Sequence, residues 1–141
     1  SELTRVVKPG GTAAAYMWDL PNLRVPLSPL YRALVKLGHA APQPPSPHAS
    51  SQESLLKLWN DAGLQSVELT TLRVPLAFDD LDDFWASNVV PVGPLGKVLT
   101  TLSATEVEAL KTELRASLPV QADGRIVYEA LANAVKGVKA G

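Results

Sequence analysis

The stretch RVVKPGGTAAAYMW, residues 5–18, decides how this chain folds. A short helix is predicted over residues 2–7. Pro9 and the Gly10–Gly11 pair end it, because proline cannot continue a helix and glycine accepts a left-handed turn. Residues 12–18 are an apolar run without alternation, which is typical of a strand covered on both faces. A helix that turns directly into such a strand indicates an α/β fold.

Outward from this stretch, hydrophobic periodicity predicts five more helices and two more strands. Two helix starts show the capping-box spacing, Ser50 with Glu53 and Ser103 with Glu106. The last segment is predicted as a strand because an Asp-Gly turn precedes β-branched residues, although its alanines would also suit a helix. The predicted helices cover residues 28–37, 50–62, 79–89, 95–102 and 103–118, and the predicted strands cover residues 67–74 and 125–135.

The resulting order of elements predicts one α/β domain over residues 1–141. A proline-rich connection over residues 38–49 is expected to be stiff and extended, with a proline-rich recognition ligand as the alternative. The helix over residues 50–62 is expected to bury Leu55, Leu58, Trp59 and Ala62 as its inner stripe.

Composition excludes several classes of protein. Thirteen basic side chains nearly balance fourteen acidic ones, which leaves no basic field for nucleic acid and no cationic face for anionic lipid. The absence of cysteine excludes disulfides, thiolate metal sites and a cysteine nucleophile. No apolar run approaches the ~20 residues that span a bilayer. We therefore expect a soluble, cytoplasmic protein without nucleic-acid or membrane partners.

Motifs that carry chemistry are sparse. His39 and His48 have no carboxylate at ligand spacing, so no metal site is predicted. The acidic run over residues 79–83 is explained by the favourable interaction of carboxylates with a helix N-terminus. Gly10–Gly11 follow a helix and precede a strand, which is the reverse of the order in a phosphate-binding loop. The serines lack a nucleophile elbow, and no catalytic residue is identified.

The strongest remaining clue is placement, because ligands of open α/β sheets bind beyond the carboxyl ends of parallel strands. The first predicted strand ends in an aromatic residue followed by a carboxylate, and two later helices carry residues suited to cover that end. The alternative is that the aromatic side chains belong to the core. The substrate-pocket candidates are Trp18, Asp19, Tyr31, Phe84, Trp85 and Asn88.

Three stretches resemble class I S-adenosylmethionine-dependent methyltransferases. LTRVVKPGGTAAAYMWD is similar to the family segment in which a helix ends in L-K-P-G-G before the fifth strand. SSQESLLKLWNDAGLQSVELTTL is similar to the next helix, closed by A-G-F or A-G-L, and the sixth strand. DDFWASNVVPVGPL, followed by a charged helix and DGRIVYEALANAV, resembles the end of the small-molecule subgroup related to ubiquinone and menaquinone C-methylation.

The resemblance implies a partial Rossmann-like sheet of about three strands, which correspond to the fifth to seventh of the family's roughly seven strands. The glycine-rich loop and the acidic ribose-binding residue of the family have no counterpart in the chain. No cofactor-binding residue is therefore carried over, and the chain alone is expected neither to bind S-adenosylmethionine nor to be catalytic. The substrate side is retained in the six candidates above, among which Asp19 is the first residue to mutate.

Three hypotheses stay open at this point. In the first, the chain is the carboxyl-terminal half of a methyltransferase. Residues 12–18 then form an exposed sheet edge that pairs with the amino-terminal half or with a second copy. In the second, it is a non-enzymatic small-molecule-binding or assembly module derived from that fold. In the third, it is an enzyme that completes its site across a dimer.

Overall fold

The computed structural model describes residues 2–42 and 44–141, which group into two compact units. The first unit contains the described residues up to Val25, Pro45–Val74 and Ala130–Gly141. The second contains those between Pro26 and Pro44, together with Pro75–Glu129. In chain order the elements are α1 (Glu2–Val6), β1 (Thr12–Trp18), α2 (Ser28–Lys36), a 3-10 turn (Pro47–Ser50), α3 (Gln52–Asp61), β2 (Leu64–Phe78), α4 (Leu81–Asn88), α5 (Gly93–Thr101), α6 (Ala104–Ser117) and β3 (Ile126–Lys139).

These elements confirm an α/β chain with a three-stranded antiparallel sheet and flanking helices. The strand order is β1-β3-β2, and β1 runs antiparallel to β3 with Thr12 opposite Val138 and Trp18 opposite Ala132. The last predicted segment is therefore a strand and not a helix, and it continues to Lys139. β2 is also longer than predicted, since it extends over Leu64–Phe78.

The turn before β1 has the predicted form. Gly10 adopts the left-handed backbone conformation at φ 72°, which favours glycine. The N–H of Gly11 donates to the carbonyl of Lys8 at 2.8 Å, and a Cβ at Gly11 would lie 2.8 Å from that same oxygen. Both glycines are thus required by the turn that leads α1 into β1.

The prediction that β1 is covered on both faces is wrong for the described chain. Ala13 alone is buried in this strand, while Tyr16 is 73% and Trp18 36% exposed. β1 also lies at the edge of the sheet. The apolar pattern correctly predicted the strand, but the surfaces that would cover it are not supplied by the described residues.

The core of the first unit lies between α3 and one face of the sheet. Leu55 and Trp59 of α3 pack with Ala13 and Val135, and the Trp59 indole N–H donates to the Ala13 carbonyl at 3.3 Å. A Cβ at Gly137 would lie 3.0 Å from the Trp59 ring, so glycine in β3 favours this close approach of the ring. The expectation that Leu58 belongs to this stripe is wrong, because Leu58 is 52% exposed.

The start of α3 differs from the prediction by one residue. Ser51, and not Ser50, is the N-cap: its hydroxyl accepts from the N–H of Ser54 at 3.1 Å. Ser50 is fully buried instead, and its hydroxyl donates to the carbonyl of Pro47 at 2.9 Å. The predicted pairing of Ser50 with Glu53 is therefore wrong, since tertiary contacts occupy Ser50.

The second unit is a helical core built on α2, α4, α5 and α6. At the start of α6, Ser103 and Glu106 form the predicted capping box, with the Ser103 N–H donating to Glu106 Oε2 at 2.7 Å. Apolar side chains from each helix meet in one cluster that also takes in the first residue of β3. Its fully buried members include Leu30, Leu34, Phe84, Leu110 and Leu114.

Candidate functional site

The carboxyl end of β1 is a tight, hydrogen-bonded loop around Asp19. The Asp19 N–H donates to the Leu131 carbonyl, and the Asp19 carbonyl accepts from the Arg24 N–H. The Leu131 N–H in turn donates to the Arg24 carbonyl at 2.8 Å. These backbone bonds tie residues 19–24 to β3, so the loop that follows β1 is held against the sheet.

Within this loop Asp19 is 5% exposed. Its two oxygens accept from the Asn22 amide at 3.0 Å each, and the Arg24 guanidinium nitrogen lies 3.9 Å from Oδ2. A buried carboxylate is costly without hydrogen bonds, which explains why an amide and a guanidinium accompany it. Trp18, the neighbouring candidate, is 36% exposed on the edge strand.

The other four candidates lie in the second unit and mainly serve its packing. Phe84 is fully buried and meets Phe78 edge to face, with ring centroids 5.2 Å apart. The Asn88 amide donates to the Phe84 carbonyl at 2.8 Å, near the end of α4. Trp85 lies under the ammonium group of Lys111, 5.1 Å from the ring centroid. Tyr31 is half-buried on α2, and burial raises the pKa of its hydroxyl.

The structure therefore brings the candidates together in two groups, Trp18 with Asp19 in the first unit and Phe84 with Trp85 and Asn88 in the second. It also reveals polar residues that the sequence analysis missed. Asn133 is 5% exposed inside the apolar run of β3, and it lines a cleft together with Asp19. A sequence signal for Asn133 did exist, because an asparagine within the apolar run of a strand is unusual.

A second surface lies across the sheet of the first unit. Side chains of alternate strand residues share a face, and Thr12, Ala14, Tyr16 and Trp18 are all exposed. A shallow groove of about 670 Å³ crosses the three strands here, lined by Ala14, Tyr16, Ala134 and their neighbours. Lys136 and Glu68 form an ion pair at 3.1 Å on the same groove.

The outer edge of β1 is open as well. Lys139 donates to Gly11 and Asp19 donates to Leu131, so the odd-numbered residues of β1 direct their peptide groups to β3. The peptide groups of Thr12, Ala14 and Tyr16 consequently point to the outer edge. No strand of the described chain pairs with that edge.

The loops that leave β1 and β2 differ from the glycine-rich cofactor loop that the family resemblance implies. The loops that follow β1 and β2 begin with Asp19 and Asp79 and contain no glycine turn. The amides of the Gly10–Gly11 turn are already used, since Gly10 donates to Lys139 and Gly11 to Lys8. We therefore assign no cofactor-binding role to these turns.

Other site classes are also not seen among residues 2–42 and 44–141. They contain no group of three His, Asp or Glu side chains arranged to hold a metal ion. His39 Nε2 instead lies 3.8 Å from Glu106. In the same described part of the chain, every helix is too short or too polar to cross a membrane. No protein-family model matches the chain, and no curated protein matches it either.

Proposed function

We propose that this chain is the substrate-side, carboxyl-terminal portion of an S-adenosylmethionine-dependent methyltransferase that acts on a small molecule. Its partial Rossmann-like sheet would correspond to the fifth to seventh strands of that fold. One observation supports the proposal: β1 is an apolar strand whose outer edge and one face are both left uncovered by residues 2–42 and 44–141. A strand of this composition normally lies inside a sheet with both faces covered.

Within the proposal, the cofactor-binding part of the fold lies outside these residues and meets the open edge of β1. A seven-residue edge without proline or charge lacks the features that usually prevent strand pairing. The edge therefore pairs either with a strand of the cofactor-binding part or, in the chain alone, with a second copy. Residues 1–141 by themselves are expected to be inactive.

The contribution of these residues to methyl transfer is binding and orientation of the methyl acceptor. Holding an acceptor in the reactive geometry can supply several kcal/mol of the barrier reduction, about 7–11 kcal/mol at best. Trp18 and Asp19, at the carboxyl end of β1, are the residues we assign to this role. Tyr31, Trp85 and Asn88, which lie in the second unit, stay predictions for contact with the acceptor, whereas Phe84 is fully buried and packs against Phe78.

Calorimetric titration with S-adenosylhomocysteine tests the proposal. Residues 1–141 should give no binding heat, whereas the product of the complete reading frame should bind with micromolar affinity. Micromolar binding to residues 1–141 alone would overturn the assignment of the cofactor part to other residues. Absence of binding by the complete product would overturn methyltransferase function altogether.

The exposed groove beside Tyr16 favours a second candidate, a non-enzymatic small-molecule-binding or assembly module derived from the same fold. Its apolar lining is suited to an apolar ligand or to a second copy. Fluorescence from Trp18 distinguishes the two candidates. Quenching by apolar small molecules, together with no response of the complete product to S-adenosylhomocysteine, supports the binding module.

A further inference from the structure

The polar cleft at the carboxyl end of β1 is distinct from the exposed groove on the sheet. It has a volume of about 260 Å³, and all of its lining residues belong to the first unit. The residues that matter here come from the loop after β1, the first turn of α3, and the strands β2 and β3. They are Asp19, Arg24, Gln52, Thr71 and Asn133.

Asn133 presents an acceptor to this cleft. Its amide nitrogen donates to the Ser50 carbonyl at 2.9 Å, which fixes the orientation of the side chain. Within the described part of the chain, no donor forms a hydrogen bond with Asn133 Oδ1. Every side-chain oxygen or nitrogen that is hidden from solvent in that part does have a partner. Oδ1 is therefore reached by solvent, although the residue as a whole is 95% buried. Asn133 lines the cleft, so this solvent-accessible oxygen faces the open space of the cleft.

Asp19 and Gln52 add further acceptors. The Asp19 carboxylate has about four acceptor positions, and the Asn22 amide supplies the only donor at hydrogen-bond distance among the described residues. Gln52 donates through Nε2 to the Thr71 hydroxyl at 2.9 Å, so its carbonyl oxygen is left to accept. The walls of the cleft thus carry acceptors from three elements beside the guanidinium donors of Arg24.

The charge of the cleft is balanced. Arg24, whose side chain is 55% exposed, lies 3.9 Å from Asp19 and offsets the negative charge of the carboxylate. A cationic ligand would meet this guanidinium, whereas a hydroxyl group can donate to Asp19 or Asn133 and also accept from Arg24. A volume of about 260 Å³ equals that of eight or nine water molecules at about 30 Å³ each.

We propose that this cleft binds a small, neutral, polyhydroxylated molecule through Asp19, Asn133 and Gln52. Hydroxyl groups of the ligand donate to these three acceptors, and Arg24 donates to a ligand oxygen. The inference shares Asp19 with the proposed acceptor side but concerns binding only, and its failure is distinguishable because a chain that ignores S-adenosylhomocysteine can still bind a polyol.

The test is a titration of the ¹⁵N-labelled chain with myo-inositol, followed through the side-chain amide resonances. Saturable shifts of Asn133 and Gln52 are expected, with a dissociation constant of about 1–10 mM, as suits a small ligand with few contacts. Gln52→Ala should weaken binding at least threefold. The matched control is Gln65→Ala, an exposed glutamine of β2 that does not line the cleft, and it should leave binding unchanged.

Asn133→Leu should abolish the Gln52 shift, and its amide spectrum shows directly whether the variant remains folded. Gln52→Ala keeps the proposal testable if Asn133→Leu does not fold. Three results would overturn it: no saturable shift with myo-inositol, shifts spread over residues outside the cleft, or saturable binding of ethanolamine in place of myo-inositol. The last result would assign the cleft to a cation.

Discussion

Replacing Tyr16 with lysine should abolish self-association of the isolated chain. Tyr16 is 73% exposed on the open face of β1. A buried aromatic side chain removes about 150–250 Å² from water, so covering the exposed part of Tyr16 removes roughly 110–180 Å². At about 25 cal/mol per Å², this stabilises a contact by about 3–4.5 kcal/mol per copy, as an upper limit.

Association itself costs about 4–15 kcal/mol, so two copies of Tyr16 bring a β1–β1 contact only to weak, concentration-dependent pairing. Losing about 3 kcal/mol weakens the dissociation constant at least a hundredfold. The lysine charge also opposes strand pairing at an edge. The assay is sedimentation velocity over a range of concentrations, in which the sedimentation coefficient of the unsubstituted chain should rise and that of Tyr16→Lys should stay constant.

The matched control is Val35→Lys, which adds the same charge at an apolar residue of α2 that is 59% exposed. Its sedimentation should follow that of the unsubstituted chain. If the unsubstituted chain remains a monomer at the highest concentration, the reasoning from the open edge is refuted. Equal association of Tyr16→Lys and Val35→Lys would refute the part played by β1.

Four further predictions concern stability and titration. Gly96→Ala should lower the free energy of unfolding in urea by about 1–3 kcal/mol, because the alanine Cβ would collide with the Val90 carbonyl oxygen. This loss should exceed the gain from the better helix propensity of alanine. A more stable variant would contradict the prediction. Ser103→Ala should cost about 1 kcal/mol by the same measurement, and no loss would contradict the capping role. The Ser103 hydroxyl lowers the pKa of Glu106 through a hydrogen bond to its carboxylate. In the Ser103→Ala variant the Glu106 carboxyl should therefore titrate at a higher pH in NMR spectra. Burial raises the pKa of Tyr128 to about 12, above the unfolded value of about 10, so the free energy of unfolding should fall as pH rises from 10 to 12. Tyr128→Phe should reduce that slope, and the raised pKa of Tyr31 leaves part of it.

Local signals predicted much of the fold. β1 has the predicted bounds, and the capping box of Ser103 and Glu106 forms as expected, because both depend on residues that are close in sequence. The start of α3 was missed because Ser50 and Ser51 are both suitable caps. Asn133, which is 83 residues from Ser50 in sequence, donates to the Ser50 carbonyl and helps to hold it outside the helix.

Two features could not be predicted, because both depend on residues that are far apart in sequence. They are the surfaces that cover β1 and the set of residues that line the polar cleft. An apolar strand pattern predicts that a surface covers the strand, but it carries no information on which residues supply that surface. Asp19 was predicted from its place after β1. Its cleft neighbours Gln52, Thr71 and Asn133 belong to three other elements, and only the sheet order and the packing of α3 bring them to Asp19.

The pairing of β1 with β3 has a consequence for how the chain is made. Gly10 donates to the Lys139 carbonyl, and the Lys139 ammonium group donates to the Val7 carbonyl, which is 132 residues away in sequence. Contacts of such long range form slowly, because a large loop must close before they stabilise anything. During translation β1 therefore leaves the ribosome long before its partner strand. Until β3 emerges, the edge of β1 that pairs with it stays unpaired, and the nascent chain is vulnerable to aggregation there.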